Sequence, residues 1–273
     1  MPGHWLLARL GKRVLRPGGV ELTDTLLGSL QIGPDDDVVE LAPGLGATTR
    51  KVLEHHPATY RGVERDTAAA EQVSALLTRP DDDVVNGSAT ETGLESASAD
   101  VLFGEAYLTM QPASQKEKII AEAARVLRPG GRLGLHEIAI VPDDLPAAAA
   151  EQVASDLGAE IKVNVSPLPM NGWIELLERH GFEVRDRSTA PMHLLEPRRL
   201  VSDEGVGGAL RFVRNVLRDR DARRRVIGMR RAMRAHADEM RACGIVAIRR
   251  DVDAPPVEDD PAIKDAASIR DAS

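Results

Sequence analysis

The stretch VVELAPGLGATTR, residues 38–50, reads as a short apolar strand that meets an acid, turns into a glycine-containing loop and then enters a helix. Gly44 and Gly46 allow positive φ and close approach of the backbone to a ligand, and a helix beginning near Thr48 directs free N–H groups to the same place. Glu40 marks the end of the strand. This pattern predicts a ligand-binding crevice at the carboxyl end of the strand, although a plain tight turn has the same glycine spacing.

Beyond this stretch the chain alternates strands with helices. Helical patterns at 48–56, 67–79 and 114–127 separate strand patterns at 59–66, 81–89, 99–108 and 130–140. Such alternation is typical of right-handed crossovers and a parallel sheet, so we predict a doubly wound α/β fold. The hexapeptide VLRPGG occurs at 14–19 and again at 126–131, and we interpret both copies as helix stops.

Composition excludes several classes of protein. The 273-residue chain has a formal net charge of −8, which argues against a general nucleic-acid binder. Its single cysteine, Cys243, excludes an intrachain disulfide and a cysteine zinc cluster. We predict no metal site, because the acidic runs at 35–37 and 81–83 are typical of turns. The N-terminus does not resemble a secretory signal and no apolar run approaches ~18 residues, so we expect a cytoplasmic protein without a membrane span.

The loop differs from a dinucleotide-binding fingerprint. Thr49 stands where the third glycine of G-x-G-x-x-G is expected, and Glu40 would oppose a pyrophosphate. Glu64 ends the next strand, eighteen residues after Gly46, where a carboxylate can accept hydrogen bonds from both hydroxyls of a ribose. Two acids at neighbouring strand ends favour a nucleoside with a positively charged appendage. Solvation at the surface is the alternative for Glu64, and pairing with a helix N-terminus is the alternative for Glu40.

The pattern of Glu40, Ala42, Gly44 and Gly46 resembles motif I of the class I S-adenosylmethionine-dependent methyltransferases. Further matches follow in order: Glu64, NGSA at 86–89, ADVLFGEAYL at 99–108 and EAARVLRPGGRLGLHE at 122–137. The similarity spans residues 35–141 and is closest to the small-molecule branch, the ubiquinone/menaquinone biosynthesis C-methyltransferase-like group. It implies S-adenosylmethionine as cofactor and a Rossmann-like, mostly parallel seven-stranded sheet with an antiparallel final strand, completed near 182–188 and 244–250.

The resemblance also implies roles for residues at the strand ends. Cofactor contacts fall on Glu40, Ala42, Pro43, Gly44, Gly46, Glu64, Arg65, Gly87, Ser88, Ala89, Glu105 and Ala106. Tyr107, Met110 and Trp173 are candidate walls of the substrate pocket, with core packing as the alternative. His136 and Glu137 end the fifth strand as candidate catalytic residues. A histidine titrates near neutrality, as a general base requires, but a role as a pocket wall or a plain strand-end residue stays open for His136.

We predict one methyltransferase domain over residues 1–251. Its parts are an N-terminal helical lid at 1–33, a cofactor-binding core at 34–141, and a substrate cap with C-terminal strands at 142–251. Residues 206–242 read as a long helical segment, and its Arg-rich stretch 211–234 would attract an anionic substrate, membrane headgroups or RNA unless its arginines are solvated or paired with acids. The polar, mostly acidic tail at 252–273 is expected to be disordered.

The expected reaction is transfer of a methyl group from S-adenosylmethionine to a small molecule, with no nucleic-acid partner. Because a sulfonium is already electrophilic, the main task would be to hold the nucleophile in line and exclude water, and a dedicated base is optional. A nicotinamide-dependent reductase and a non-catalytic cofactor-binding module are the alternatives. The sequence does not specify the acceptor or the oligomeric state, and it is compatible with a homodimer.

Overall fold

The computed structural model describes residues 1–192 and 194–251, and its centre is a twisted sheet in the order β3-β2-β1-β4-β5-β8-β7. Strands β1 to β5 are parallel to one another, whereas β8 lies antiparallel between β5 and β7. A two-residue strand, β6, pairs with β5 outside this path. The bounds are β1 Asp37–Leu41, β2 Thr59–Glu64, β3 Asp83–Asn86, β4 Ala99–Glu105, β5 Leu127–Ile140, β6 Leu168–Pro169, β7 Phe182–Pro191 and β8 Met240–Arg249.

This order confirms the predicted fold class: a doubly wound, mostly parallel sheet whose last strand is antiparallel. The chain leaves β1 toward β2 on one side and returns to β4 on the other, so the strand order reverses beside β1. In such sheets the ligand crevice lies outside the carboxyl ends of the strands at the point of reversal. The motif loop after β1 therefore lies where the crevice forms. The short β6 is an addition that the sequence patterns did not indicate.

Helices cover the sheet and its carboxyl end. Their bounds are α1 Gly3–Arg9, α2 Gly19–Leu30, α3 Ala47–Leu53, α4 Thr67–Ser74, α5 Ala113–Val126, α6 Ala147–Ile161, α7 Met170–Arg179, α8 Pro197–Arg218 and α9 Arg220–Ala235, with a 3-10 turn at Leu108–Met110. The helical segment expected over 206–242 is instead parts of two helices, because Asp219 leaves α8 and caps α9 by accepting hydrogen bonds from the backbone of Asp221 and Ala222. Its last residues, from Met240, belong to β8.

The N-terminal segment is fastened to α8 by buried charges. Lys12 Nζ lies 3.1 Å from Asp203 Oδ2, and both side chains are fully buried. Glu204 accepts hydrogen bonds from the backbone N–H groups of Arg13 and Val14 at 2.7 and 2.9 Å. These contacts stand beside an apolar cluster that joins α1, α6, α8 and α9, including Leu6, Val153, Phe212 and Met229. The helices around the crevice thus have a hydrophobic core of their own.

In the part of the chain that the structure describes, no helix is both long and apolar enough to cross a bilayer. The tail for which disorder is expected, 252–273, lies outside the described residues.

Candidate active site

A cavity of about 660 Å³ lies at the carboxyl ends of β1, β2 and β4, within the roughly 300–1,000 Å³ range of small-molecule sites. Parallel strands direct their carboxyl ends to one edge of the sheet, so the loops after these three strands meet there with the loop after β3. Eleven of the twelve residues predicted to contact the cofactor line it: Glu40, Ala42, Pro43, Gly44, Glu64, Arg65, Gly87, Ser88, Ala89, Glu105 and Ala106. The structure therefore brings together residues from four separate segments of the sequence.

The motif loop curves around the cavity with left-handed backbone at Ala42 and Gly44, whose φ angles are 54° and 57°. Gly44 N donates a hydrogen bond to Glu64 Oε2 at 3.0 Å, which joins the loop after β1 to the end of β2. Gly46 is outside the cavity lining. It is the N-cap residue before α3, with a φ of 71°, and a Cβ there would lie 2.6 Å from Leu76 Cδ1. Packing against Leu76 and the left-handed backbone explain why residue 46 is a glycine. Its position outside the cavity lining differs from the predicted contact with the cofactor.

Glu64 is held in place by two backbone donors. Its Oε2 accepts from Gly44 N and its Oε1 accepts from Asp66 N at 2.9 Å. Because each carboxylate oxygen has two lone pairs, each can accept one further hydrogen bond from the cavity side. His4 of α1 also lines the cavity, and its Nδ1 is buried with no partner among the described residues. Burial lowers the pKa of His4, and the nearby charge of Glu64 opposes that shift.

Glu40 lines the same cavity from the end of β1, but it is more enclosed. Its Oε2 accepts hydrogen bonds from Thr49 Oγ1 and Tyr60 OH, both at 2.7 Å. Burial raises the pKa of the Glu40 carboxyl to about 7, even though the two hydroxyls favour its ionised form. Near neutral pH this group is consequently balanced between its neutral and charged states, and a nearby cation would favour the charge.

Glu105, at the end of β4, is the centre of a buried polar network. Its Oε1 accepts a hydrogen bond from Thr23 Oγ1 at 2.6 Å and lies 2.7 Å from His136 Nδ1. Its Oε2 accepts from Thr48 Oγ1 and lies 3.3 Å from Arg16 Nε. Burial opposes ionisation, but the charge of Arg16 and the hydrogen bond with His136 outweigh it and lower the pKa of Glu105 to about 2. Glu105 is therefore a carboxylate at neutral pH.

The two predicted catalytic residues do not reach the cavity. His136 is fully buried; its Nε2 lies 2.5 Å from Pro17 O, a group that can only accept, and its Nδ1 faces the Glu105 carboxylate. Both ring nitrogens therefore face oxygen atoms of the fold and not the cavity. Glu137 accepts hydrogen bonds from the backbone N–H groups of Tyr107, Leu108 and Thr109 at 2.8–3.1 Å. Its geometry stabilises the turn after β4, and the positions of both residues argue against the catalytic roles assigned to them.

The predicted substrate residues divide in the same way. Tyr107 and Met110 line the cavity, whereas Trp173 is fully buried in the core with its Nε1 donating to Ile138 O at 3.0 Å. Trp173 thus follows the alternative of core packing. The hydroxyl of Tyr107 is buried and makes no hydrogen bond to any described residue. Burial raises the pKa of Tyr107 well above its usual value, so this hydroxyl is a neutral hydrogen-bonding group.

Arg16 is a cavity residue that the sequence patterns did not reveal. Its side chain is only 7% exposed, and its Nε donates to Thr23 Oγ1 beside Glu105. The two terminal nitrogens make no hydrogen bond within the described ranges, although Arg16 lines the cavity. In the sequence this arginine stood in the VLRPGG repeat, which gave only a backbone signal. A buried guanidinium with free donors is suited to a carboxylate or phosphate ligand.

The far wall of the cavity is apolar. It is formed by aliphatic and methionine side chains from the end of α6 and the loop after it, from the loop after β7 and from α9: Ile161, Val163, Val165, Met192, Leu194, Met229 and Met233. These residues come from segments that the sequence analysis placed over the crevice as a cap. No group of His, Cys, Asp and Glu in the described part of the chain has an arrangement that could hold a metal ion. The cavity thus combines a polar end at the strand tips with an apolar end under the helices.

Comparison with known proteins agrees with this fold and site. The family model described as methyltransferase domain matches residues 39–135. An uncharacterised Haemophilus influenzae protein is 33% identical over 220 residues, which cover 79% of this chain and 86% of that protein. The 27-O-demethylrifamycin SV methyltransferase of Amycolatopsis mediterranei is 28% identical over 156 residues, covering 56% of this chain and 57% of that one. The solved Haemonchus contortus phosphoethanolamine N-methyltransferase 2, in complex with S-adenosylmethionine, gives a TM-score of 0.65 at 14% identity over 91% of this chain and 57% of that chain.

The chain belongs to the methyltransferase-domain family, and it is an S-adenosylmethionine-dependent methyltransferase. The expected cofactor and reaction type are confirmed by this membership, and the nicotinamide-dependent alternative is rejected. The matched residues include both Glu40 and Glu64 and end one residue before His136.

Proposed function

We propose that the protein transfers the methyl group of S-adenosylmethionine to a small, largely apolar acceptor that occupies the cavity between Tyr107 and the methionines of α9. The observation that carries this proposal is the division of one cavity into two ends. The strand tips supply the acids Glu40, Glu64 and Glu105, and α6 and α9 supply aliphatic and methionine side chains. The first end suits a charged nucleoside and the second suits an acceptor with little charge of its own.

The polar end would offer a partner to each part of the cofactor. Glu64 would accept hydrogen bonds from the two ribose hydroxyls, since both of its oxygens retain a lone pair after binding Gly44 N and Asp66 N. Residues 87–89 would border the adenine. Glu40 would favour the methionine ammonium, and the free guanidinium nitrogens of Arg16 would bind the methionine carboxylate. Two lining residues support this fit: His4 Nδ1 is buried without a partner among the described residues, and Arg16 uses only its Nε in hydrogen bonds within them.

The reaction needs little acid–base chemistry from this chain. When bound, the cofactor supplies a methyl group that is already activated by the sulfonium. The residues around it must hold the acceptor in line and exclude water, which is the role that the helices over the cavity would have. His136 is occupied by Glu105 and Pro17, so it would not take a proton from the acceptor. The hydroxyl of Tyr107 would orient the acceptor through a neutral hydrogen bond, because no described residue satisfies it.

Two measurements test the proposal. Calorimetry of the full chain with S-adenosylhomocysteine should show binding, and NADH should show none. Incubation with methyl-labelled S-adenosylmethionine and fractions of a metabolite extract should then transfer label into an organic-extractable fraction. Label found only in polar, charged metabolites would contradict the apolar acceptor. Tight cofactor binding with no transfer from any fraction would favour the non-catalytic module instead.

A further inference from the structure

The outer side of α8 carries a row of exposed aliphatic residues, which we call the α8 stripe: Val206, Leu210, Val213 and Leu217. Their exposed fractions lie between 44% and 66%. Intervals of four, three and four residues place all four on one side of a helix. The opposite side of the same helix is already packed, because Ala209 and Phe212 are buried in the apolar cluster with α1 and α9. The stripe is therefore a second apolar face, and it has no partner among the described residues.

Arginines border the α8 stripe. Arg211, Arg214 and Arg218 are exposed, and on a helix of 3.6 residues per turn they lie along one flank of the aliphatic row. None of the three forms an ion pair with any residue in the ranges 1–192 and 194–251. The outer face of α9 repeats this composition, with the exposed Ile227 between Arg224 and Arg231. Arg211, Arg214 and Arg218 therefore do not neutralise acids within the described residues, whereas Arg224 lies 3.6 Å from Asp221 of its own helix.

The charge of this region is opposite to that of the rest of the molecule. Residues 197–235 contain twelve arginines and four acids, which leaves 23 Lys and Arg against 39 Asp and Glu elsewhere in the chain. Composition alone gave a net charge of −8 and concealed this segregation. A local excess of arginine beside exposed aliphatic side chains matches the two layers of a bilayer interface, which are anionic headgroups and acyl chains.

We propose that the α8 stripe and its flanking arginines dock on the surface of a bilayer that contains anionic lipid. A second copy of the chain fits less well, since pairing two stripes would bring two arginine rows together. A row of four side chains is also smaller than the roughly 800 Å² per partner of a stable interface. RNA would bind the arginines through its phosphates, but it would leave the aliphatic row without an apolar partner. Met229 and Met233 of α9 line the cavity, and α9 shares an apolar cluster with α8, so the docking face lies on a helix packed beside one that covers the cavity.

The test is co-sedimentation of the full chain with vesicles, which does not depend on methyl transfer. Vesicles of phosphatidylcholine mixed with an equal part of phosphatidylglycerol should bind the protein, and pure phosphatidylcholine should bind it much less. The triple variant Arg211→Gln, Arg214→Gln, Arg218→Gln should bind the mixed vesicles about 100-fold more weakly, from about 1 kcal/mol per arginine near an anionic surface. The double variant Leu210→Ser, Leu217→Ser should weaken binding by a similar factor, because the aliphatic contact is lost.

A matched control carries the same change of charge elsewhere. Arg179→Gln, Arg185→Gln, Arg187→Gln removes three exposed arginines near and on β7 and should leave vesicle binding unchanged. Equal loss in the control and the α8 triple variant would overturn the proposal in favour of a general charge effect. Absence of binding to mixed vesicles would also overturn it. So would a dimer, seen by light scattering, that the leucine variant dissociates, or RNA binding that depends on the arginines while vesicle binding does not.

Discussion

Replacing Glu64 by glutamine keeps the size of the side chain but removes its charge and one acceptor oxygen. In the structure the two carboxylate oxygens each accept one backbone hydrogen bond, from Gly44 N at 3.0 Å and from Asp66 N at 2.9 Å. The amide nitrogen of glutamine can only donate, so one backbone donor and one ribose hydroxyl lose their acceptor. A lost hydrogen bond to a charged group costs about 1.5–3 kcal/mol, which corresponds to roughly 10- to 150-fold in Kd.

The assay is calorimetry with two ligands that share the ribose. S-adenosylhomocysteine contains the amino-acid part, whereas 5′-methylthioadenosine lacks it. Because Glu64 is assigned to the ribose, the Glu64→Gln variant should lose the same factor of affinity for both ligands. The control is Glu71→Gln, an exposed acid of α4 outside the cavity lining, which should bind both as the unchanged protein does.

Two results would refute the reasoning. Unchanged affinity for both ligands would mean that the ribose does not contact Glu64. A loss confined to S-adenosylhomocysteine would place Glu64 at the amino-acid part, so the orientation of the cofactor in the cavity would have to be reversed. A melting temperature close to that of the unchanged protein would show that the motif loop still folds in the variant.

Three further predictions use the same protein. The variant Arg16→Gln should weaken the binding of S-adenosylhomocysteine by about 1.5–3 kcal/mol and leave the binding of 5′-methylthioadenosine unchanged. The exposed control Arg9→Gln should change the binding of neither ligand. Equal losses of affinity for both ligands in Arg16→Gln would contradict a contact between Arg16 and the carboxylate. The pKa of Glu40 is raised to about 7, so its carboxyl ionises as the pH rises through that value. The affinity for S-adenosylhomocysteine, measured by calorimetry, should therefore increase from pH 6 to pH 8. Glu40→Gln should abolish this rise, and 5′-methylthioadenosine, without an ammonium, should not show it. Burial raises the pKa of the Cys243 thiol, so a thiol reagent should modify it only after denaturation; rapid labelling of the folded protein would refute its buried position.

The raised pKa of Glu40 also affects the free energy of unfolding. Unlike the affinity for the cofactor, the stability of the free protein should fall as the pH rises. An acid whose pKa is raised in the folded state keeps its proton where the unfolded chain has lost it. Its contribution therefore favours the folded state below about pH 4.5 and is lost progressively as pH rises toward 7. Bound cofactor should reverse this trend, because an ammonium beside Glu40 favours the ionised carboxyl.

The location of the acids at one edge of the sheet was predictable, because parallel strands place their carboxyl ends at the same edge. The positions of Glu40, Glu64 and Glu105 follow from hydrophobic runs that end at an acid, and the register of β1 with β2 and β4 brings those ends to one edge. Side-chain direction was less predictable. His136 pairs with Glu105 in the β4–β5 register, and that neighbour, together with Pro17, takes up both ring nitrogens. A strand pattern fixes where a residue lies but not which distant group satisfies it.

The VLRPGG repeat illustrates this limit. In the second copy, Arg128 pairs with Asp37 and Asp100 across the amino ends of β1 and β4, where it fastens the sheet. In the first copy, Arg16 lies beside Glu105 at the opposite edge and lines the cavity. The six residues are identical, so the difference comes from tertiary neighbours brought from elsewhere in the chain. Likewise, Gly46 fitted a motif position, but the side chain of Leu76 gives its glycine a packing reason.

Arg16 joins two functions that are separate in the sequence. Its pairing with Glu105 fixes the N-terminal segment to the end of β4, and its free terminal nitrogens lie at the cavity that the segment covers. A buried ion pair is weak evidence for stability, since desolvation can cancel the attraction. Here the pair instead holds a guanidinium in place, with Thr23, Thr48 and His136 satisfying the carboxylate on its other sides. A ligand carboxylate would give Arg16 a second anionic partner beside Glu105. Because Arg16 belongs to the N-terminal segment, binding of the cofactor should stabilise the position of this segment over the cavity, and the positioned segment should in turn increase the affinity for the cofactor.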